Sequence, residues 1–341
     1  MANGAPVGAL PADGDPPNAA TFAQPYKVLL DWVAFNAKRS AVSIFGTGAD
    51  GDVTISSGTT NLSASANYVN LTIGATGILV ANSFLINVKG TLTVVSGGKI
   101  IDAAAAPKNG GDASGIGIGS AGLGGNGSST GVYLGGASGA NGAVTTVAGT
   151  PGDAVTFALG GAGGAGGAGN TGGAGGAAGA FTAPAAGTIT DIARAFSQPG
   201  WVIERTGSAG ARTGTLRGLM GGGSGGSGGG SPTHPGAGSG AGGGLVVIFA
   251  QHVVLATSSD IMAPGGDGGA TPDGAFAAGG GGGAGGGGAV LLYYGTKSGP
   301  SLSAAACCPG GVGKGPGGTG SGSFFGAGGS VGHVFEFNVG Y

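Results

Sequence analysis

Short apolar runs alternate with Gly, Asn and Asp between residues 41 and 102. Runs such as DVTISS, YVNLTI, FLINVKG and TLTVVSG are rich in Val, Ile and Thr, which strands prefer, and VSIFG precedes them. Turn residues return every ~8–10 positions, a spacing typical of small all-β folds. The pattern predicts an all-β chain with a short-strand domain over residues 41–106, built as a β-solenoid or a small sandwich.

An apolar stripe with helical spacing occurs in residues 25–37. Its members recur at i, i+3, i+4 and i+7, and Pro25 suits a first helical turn. We therefore expect a short helix within an N-terminal region of residues 1–40. It either packs on the following domain or anchors the protein in a larger assembly. The anchoring candidates are Tyr26, Leu29, Leu30, Trp32, Val33 and Phe35.

A longer repeat follows in residues 107–341. Apolar runs begin at Leu245, Val290 and Val334, each after a Gly run, which gives a period near 45 residues. Residues 91–112 look like an earlier copy. The repeat predicts a spine of apolar strands, from which Gly-rich excursions leave and to which they return.

The excursions have a finer period of three. Residues 160–180 read as triplets with Gly in nearly all of the first two places and mostly Ala in the third. Three residues per turn is the repeat of the polyproline II helix, which needs neighbouring helices to satisfy its backbone. We expect packed polyglycine II helices. A flexible Gly/Ser linker is the alternative. A collagen triple helix is disfavoured because these triplets contain no Pro.

Composition narrows the classes of function. The chain has 89 Gly in 341 residues, 8% charged residues and a net charge of −2, so no basic surface indicates nucleic acid. The two cysteines, Cys307 and Cys308, are adjacent, which favours free buried thiols over a disulfide framework. We recognise no signal peptide, and the longest apolar run, residues 245–256, is too short to span a bilayer.

Catalytic chemistry has little support in the sequence. The three histidines, His234, His252 and His333, are far apart, and His252 reads as a core residue of an apolar run. Glu204 and Glu336 are the only glutamates, and no phosphate loop, calcium repeat or metal-ligand spacing is complete. We expect no enzyme activity, no cofactor and no metal.

Large side chains concentrate where the Gly runs break, including an Arg-bearing insertion at residues 181–220. Aromatic and Arg side chains usually dominate binding energy, so these residues are candidates for receptor contact, or else they plug the ends of the stacked helices. The candidates are Tyr133, Phe181, Phe196, Trp201, Arg205, Arg212, Phe276, Phe324 and Phe325.

The motifs GGGLVVIFAQ, IMAPGGDGG and GGGAVLLYYG, together with FGTGADGDVTISSGTT and NVKGTLTVVSGGKI, resemble those of tailed-bacteriophage virion proteins of the tail-fibre and tail-tip adhesin type. The resemblance covers roughly residues 41–341, and the insertion at 181–220 departs from it. It implies a stack of polyglycine II helices at the virion surface, whose loops touch the host receptor.

The partners that this resemblance implies are other virion proteins (fibre, tail or capsid) and a host cell-surface glycan or outer-membrane protein, and it leaves a homo-oligomer open. Two alternatives are a capsid decoration or head-fibre protein without a receptor role, and a bacterial cell-surface protein, since the GGAGGAGG text is similar to mycobacterial PGRS repeats.

Overall fold

The computed structural model describes residues 44–102, 109–114, 138–144, 147–152, 160–170, 173–178, 222–272, 279–316 and 324–339. The predicted helix at 25–37 and the insertion at 181–220 lie outside these residues. All structural statements below refer to the described part of the chain.

Eight strands form one sheet, in which every pairing is parallel. They are β1 (Gly51–Asn61), β2 (Ala66–Val80), β3 (Leu85–Val94), β4 (Lys99–Ile101), β5 (Leu245–Leu255), β6 (Ile261–Met262), β7 (Ala289–Ser298) and β8 (His333–Asn338). The order across the sheet is β6-β4-β2-β3-β5-β7-β8, with β1 paired to β2. A four-residue helix, α1 (Ala304–Cys307), follows β7. The all-β expectation is confirmed, although Ile44 and Phe45 of the predicted VSIFG run are not in a strand.

The strand register confirms the long repeat and sharpens its length. Leu245 of β5 pairs with Ala289 of β7, which pairs with His333 of β8, a repeat of 44 residues. The earlier copy is also present, because β3 pairs with β5 and β4 pairs with β6. The next copy of the repeat would contain a third short strand, after β4 and β6. The chain forms α1 at that position instead, and the N–H of Ala263 donates to the carbonyl of Cys307 at 2.7 Å.

The first halves of β5 and β7 are buried on both faces, which explains their continuous apolar sequences LVVIFA and AVLLYY. One face contributes to a large core with β1–β4 and β6, represented by Ile248 and Leu292. The opposite face carries a second apolar cluster that includes Leu245, Val247 and Tyr293. Parallel strands therefore form a central layer between two apolar clusters.

Like residues stack in columns across the sheet because the repeat is in register. The rings of Phe249, Tyr293 and Phe337 lie in one column with centroids 4.4 and 4.9 Å apart. The same column continues through Asn87 and Asn67, whose side-chain amides are joined by a 3.3 Å hydrogen bond. The strands β5, β7 and β8 each directly follow a Gly-rich excursion. The columns of stacked side chains therefore hold the ends of these excursions in place.

Candidate binding surface of the Gly-rich array

The Gly-rich excursions lie side by side and are joined by backbone hydrogen bonds. A central segment, residues 279–288, is bonded to six others in the described chain: residues 160–169, 222–231, 235–244, 263–271, 309–316 and 324–332. Four more segments, residues 109–114, 138–144, 147–152 and 173–178, bond to this group from outside. We call the whole set the Gly-rich array.

Hydrogen bonding in the array repeats every three residues. Gly280, Gly281 and Gly282 of the central segment donate to segments 222–231, 324–332 and 263–271, respectively. The triplets 283–285 and 286–288 repeat this order, with donor–acceptor distances of 2.7–3.0 Å throughout. Each group of three consecutive residues thus donates its amides to three different neighbours, so the central backbone is hydrogen-bonded without using any side chain.

Glycine is required here for space rather than for an unusual backbone conformation. The described glycines with positive φ all lie outside the array, as Gly46, Gly48, Gly51, Gly58, Gly97 and Gly299. In the central segment, a Cβ on Gly280, Gly283 or Gly286 would lie 1.9–2.2 Å from a carbonyl oxygen of segment 160–169. No real side-chain atom fits at that distance.

Alanine occupies the least covered face of the outer segment 160–169, whereas Ala237 and Ala284 of inner segments are fully buried. In segment 160–169, the amides of Gly161, Gly164 and Gly167 donate to the central segment, and these glycines are buried. Ala165, in the third place of its triplet, is exposed. The Gly-Gly-Ala triplet is therefore the sequence of an outer segment, with two faces against neighbours and one methyl towards solvent.

Side-chain oxygens take the place of a missing neighbour at one border of the array. Asn109 and Asp112 accept backbone N–H groups of segment 263–271 at 2.9 and 2.7 Å, and Asp267 accepts the N–H of Val312 at 2.8 Å. An unpaired backbone amide is costly, so these residues end the lateral hydrogen bonding without leaving donors unused.

The array has two distinct ends. Gly288 immediately precedes β7, so the end beside Gly288 is proximal to the sheet and the end beside Gly279 is distal. Segments 160–169 and 222–231 pair antiparallel with the central segment and so run away from the sheet. The same reasoning places at the distal end the described residues that flank five connections: 144 and 147, 170 and 173, 231 and 235, 271 and 279, and 316 and 324.

Phe324 and Phe325 are the receptor-contact candidates that fall within the described residues, and they lie at this distal end. Both are partly buried. The carbonyl of Phe324 accepts the N–H of Gly281 at 2.9 Å. The ring of Phe325 lies over Gly315, whose added Cβ would be 2.5 Å from the ring carbon Cδ1. The backbone of Phe324 is therefore held by a hydrogen bond and the ring of Phe325 by packing, while both residues are only partly buried.

A distal turn at residues 231–235 was not among the sequence candidates. The Ser231 hydroxyl accepts the N–H of His234 at 3.0 Å, and this bond closes the turn. His234 is buried, whereas Pro232 and Thr233 are exposed beside the other distal connections. The signal that could have found it is the PTHP sequence, which interrupts an otherwise continuous Gly-rich stretch.

The remaining candidates lie outside the described residues: Tyr133, Phe181, Phe196, Trp201, Arg205, Arg212 and Phe276, and also the anchoring stripe Tyr26, Leu29, Leu30, Trp32, Val33 and Phe35. Their neighbours in the chain are informative in one case. Segment 173–178, before the insertion, runs towards the sheet, and the chain re-enters the array at Gly222, whose N–H donates to Gly243 near β5. The chain thus runs towards the proximal side before the insertion and resumes there at Gly222 after it, whereas Phe324 is distal.

The first excursion closes on itself at a single buried carboxylate. Asp102 follows β4, where the excursion begins, and its side chain accepts the N–H of Gly244, the last residue before β5. Asp102 is fully buried, and its own N–H donates to the Met262 carbonyl at 3.0 Å. Asp102 and Gly244 are 142 residues apart in the sequence, and this hydrogen bond therefore brings the two ends of the excursion together.

Titratable groups of the described chain have structural partners. The Lys297 ammonium lies 2.5 Å from the Glu336 carboxylate, next to the end of the sheet. Burial raises the pKa of the Cys307 thiol to about 11, and its Sγ donates to the Ser258 carbonyl at 3.0 Å. His252, expected in the core, is instead exposed on β5 and bonded to the Thr296 hydroxyl at 2.7 Å.

Two kinds of structural feature are absent from the described ranges. No group of three or more His, Cys, Asp or Glu side chains is placed to hold a metal ion. The helical residues found there do not belong to an apolar helix of bilayer-spanning length.

Comparison of the chain with protein-family models, with curated proteins and with solved structures finds no match in any of the three.

Proposed function

We propose that the Gly-rich array is a stack of polyglycine II helices standing on a short parallel β-solenoid. The support is the three-residue repeat of its hydrogen bonds together with φ angles outside the positive region in the array glycines. Such a stack is a rigid spacer that orders its loops at one end. Slow hydrogen exchange of the amides of residues 279–288 tests it, because free exchange there indicates a flexible chain instead.

We further propose that the protein is a non-enzymatic, receptor-binding component at the virion surface of a tailed bacteriophage. The single observation that carries this proposal is that the described segments flanking five connections end at the distal side of the array, where Phe324 and Phe325 are only partly buried. Loops on a rigid scaffold are where binding residues concentrate. Aromatic rings suit stacking on sugar faces, and they also suit apolar contacts with an outer-membrane protein loop.

The scaffold itself is poorly equipped to bind a partner. The flanks of the described array expose Gly, Ala and single Val side chains such as Val312 and Val331, rather than the aromatic and Arg side chains on which interface energy usually depends. Binding energy must therefore come from the connections. If the sheet faces the virion, the connections at the distal end are the part of the molecule that reaches a cell surface first.

The test is the double variant Phe324→Ala/Phe325→Ala in the full chain. We expect the purified wild-type protein to compete with phage particles for adsorption to host cells, and the double variant to compete at least tenfold less well, which corresponds to about 1.4 kcal/mol. The matched control is Val95→Ala/Val254→Ala, which removes two exposed apolar side chains from the sheet and should compete like wild type.

Phe325 also packs on Gly315, so loss of competition counts only if the thermal midpoint is unchanged. The variant Phe325→Leu keeps an apolar side chain over Gly315 but removes the ring, and separates the two effects. Wild-type competition by the double variant would reject distal binding through these rings.

The packing of Phe325 on Gly315 favours a second candidate function, a capsid decoration or head-fibre protein in which the aromatic pair closes the end of the array. Immunogold labelling of particles separates the two, because an adhesin labels the tail tip and a decoration protein labels the head. Absence of label from particles, with label on bacterial cells, would favour the cell-surface alternative.

A further inference from the structure

The sheet has a second apolar face that the large core does not use. We call its residues the outer-face cluster. Its buried members are Phe45, Leu245, Val247, Phe249, Ala289, Leu291 and Tyr293, and its partly buried members are Ile44, Leu85, Phe335, Phe337 and Val339. Four parallel strands contribute to it, and parallel sheets are normally covered on both faces. The cluster therefore needs an apolar cover.

The chain itself arrives at this face. Ile44 and Phe45, the first described residues, already belong to the outer-face cluster. Forty-three residues precede them. Among the described residues, the cluster draws on β3, β5, β7, β8 and the flanking residues Ile44, Phe45 and Val339, so no other described segment supplies the cover.

The stretch at 25–37 has the dimensions and the pattern of a cover. Thirteen helical residues are ~20 Å long. The four strands of the cluster are spaced by ~4.8 Å, so together they span ~15 Å. The six residues between position 37 and Ile44 give seven Cα–Cα steps that reach at most ~25 Å, enough to place the helix anywhere across these strands. The apolar stripe at helical spacing supplies side chains on one side.

We propose that residues 25–37 form a helix that packs its apolar stripe on the outer-face cluster of the same molecule. The stripe then completes the fold, and its side chains are not available to anchor the protein in a larger assembly. This inference does not depend on receptor binding, because it concerns the opposite end of the molecule from Phe324.

The experiment is site-specific photo-cross-linking in the full chain. A benzophenone amino acid at Val33, on the stripe, should cross-link to peptides containing residues 245–249, 289–293 or 333–339. The matched control places it at Asp31, on the other side of the helix, and should give none of these products. A mixture of unlabelled and 15N-labelled protein distinguishes links within one molecule from links between two.

A stability measurement complements the cross-link. Leu30→Asp puts a charge into the proposed contact and should lower the thermal midpoint by roughly 5 °C or more. Lys27→Asp adds an acidic residue to the same helix away from the centre of the stripe and should leave the midpoint nearly unchanged. Cross-links to other peptides, links between two molecules, or an unchanged midpoint for Leu30→Asp would each overturn the proposal.

Discussion

The parallel sheet and the Gly-rich array share one 44-residue repeat but are held together by opposite means. In the sheet, side chains such as Ile248 and Leu292 are fully buried and fill the space between layers. In the array, the segments approach through glycine backbone and small buried side chains such as Ala237 and Ala284, and backbone hydrogen bonds join them. The sheet is stabilised by large side chains that fill its core. The array is stabilised because its glycines have no side chain and so let neighbouring backbones approach and bond.

This difference has a practical meaning for mutation. The sheet should lose stability when a side chain is removed, because a cavity forms. The array should lose stability when a side chain is added, because neighbouring backbones must separate. Substitution by alanine is therefore expected to be damaging at a buried leucine of the sheet and at a closely packed glycine of the array, for opposite reasons.

Truncation in the sheet should have the largest effect. Leu292→Ala removes a fully buried side chain of β7 and should lower the free energy of unfolding by about 2–5 kcal/mol. Val254→Ala, at a position 39% exposed on β5, is the matched control and should cost well under 1 kcal/mol. Urea unfolding followed by circular dichroism measures both. Equal midpoints for the two variants would contradict the idea that the sheet depends on this core.

Two adjacent glycines sharpen the comparison in the array. A Cβ on Gly329 would lie 2.0 Å from the carbonyl oxygen of Gly285, so Gly329→Ala should cost about 1–3 kcal/mol. A Cβ on Gly328 would meet a single atom at 3.6 Å, and Gly328→Ala should be neutral or stabilising by up to about 1 kcal/mol. Thermal unfolding of the pair is the measurement. Similar losses for both would mean that conformation, rather than space, requires glycine in this segment.

The smallest expected effect concerns the junction between the two regions, where Cys307 lies. Its pKa is raised by burial to about 11, so the folded state keeps the thiol proton while the unfolded state loses it above about pH 8.5. Stability from this group is thus fully present below pH 8.5 and is lost as the pH rises towards 11. The urea midpoint should fall over this window, and Cys307→Ala should weaken the slope.

Alkylation provides the control for that measurement. At pH 8 the folded thiol should react slowly with iodoacetamide, and the reaction should accelerate in step with unfolding of the sheet. If Cys307 were alkylated quickly before the sheet unfolds, the junction around Cys307 would open together with the array rather than with the sheet.

Sequence alone predicted the repeat because its cause is local. The apolar runs at residues 245, 290 and 334 are continuous, as strands covered on both faces must be, so their spacing is close to the strand register. The sequence did not predict that the His252 side chain is exposed. The second half of β5 is only partly buried, and that depends on which faces distant segments cover.

The candidate binding site, like the repeat, could be predicted from the sequence only in part. A break in a Gly run marks a connection, and this places Phe324 and Phe325 between two segments. Whether a connection is distal or proximal depends on the direction of each segment, which only the pairing of backbones determines. The proximal position at which the chain resumes after the insertion at 181–220 therefore could not be derived from composition or spacing.

The pairing of β3 with β5 has a consequence for biosynthesis. The two strands are separated by about 150 residues, which comprise β4 and the first excursion, so the edge of β3 stays unpaired until the ribosome has passed residue 255. At 5–20 residues per second this interval lasts roughly 10–30 s. The central segment 279–288 is made later still, after several of the segments that bond to it. Nascent chains consequently expose both an open strand edge and unpaired glycine backbone, which makes slow, chaperone-assisted maturation the expected route to this fold.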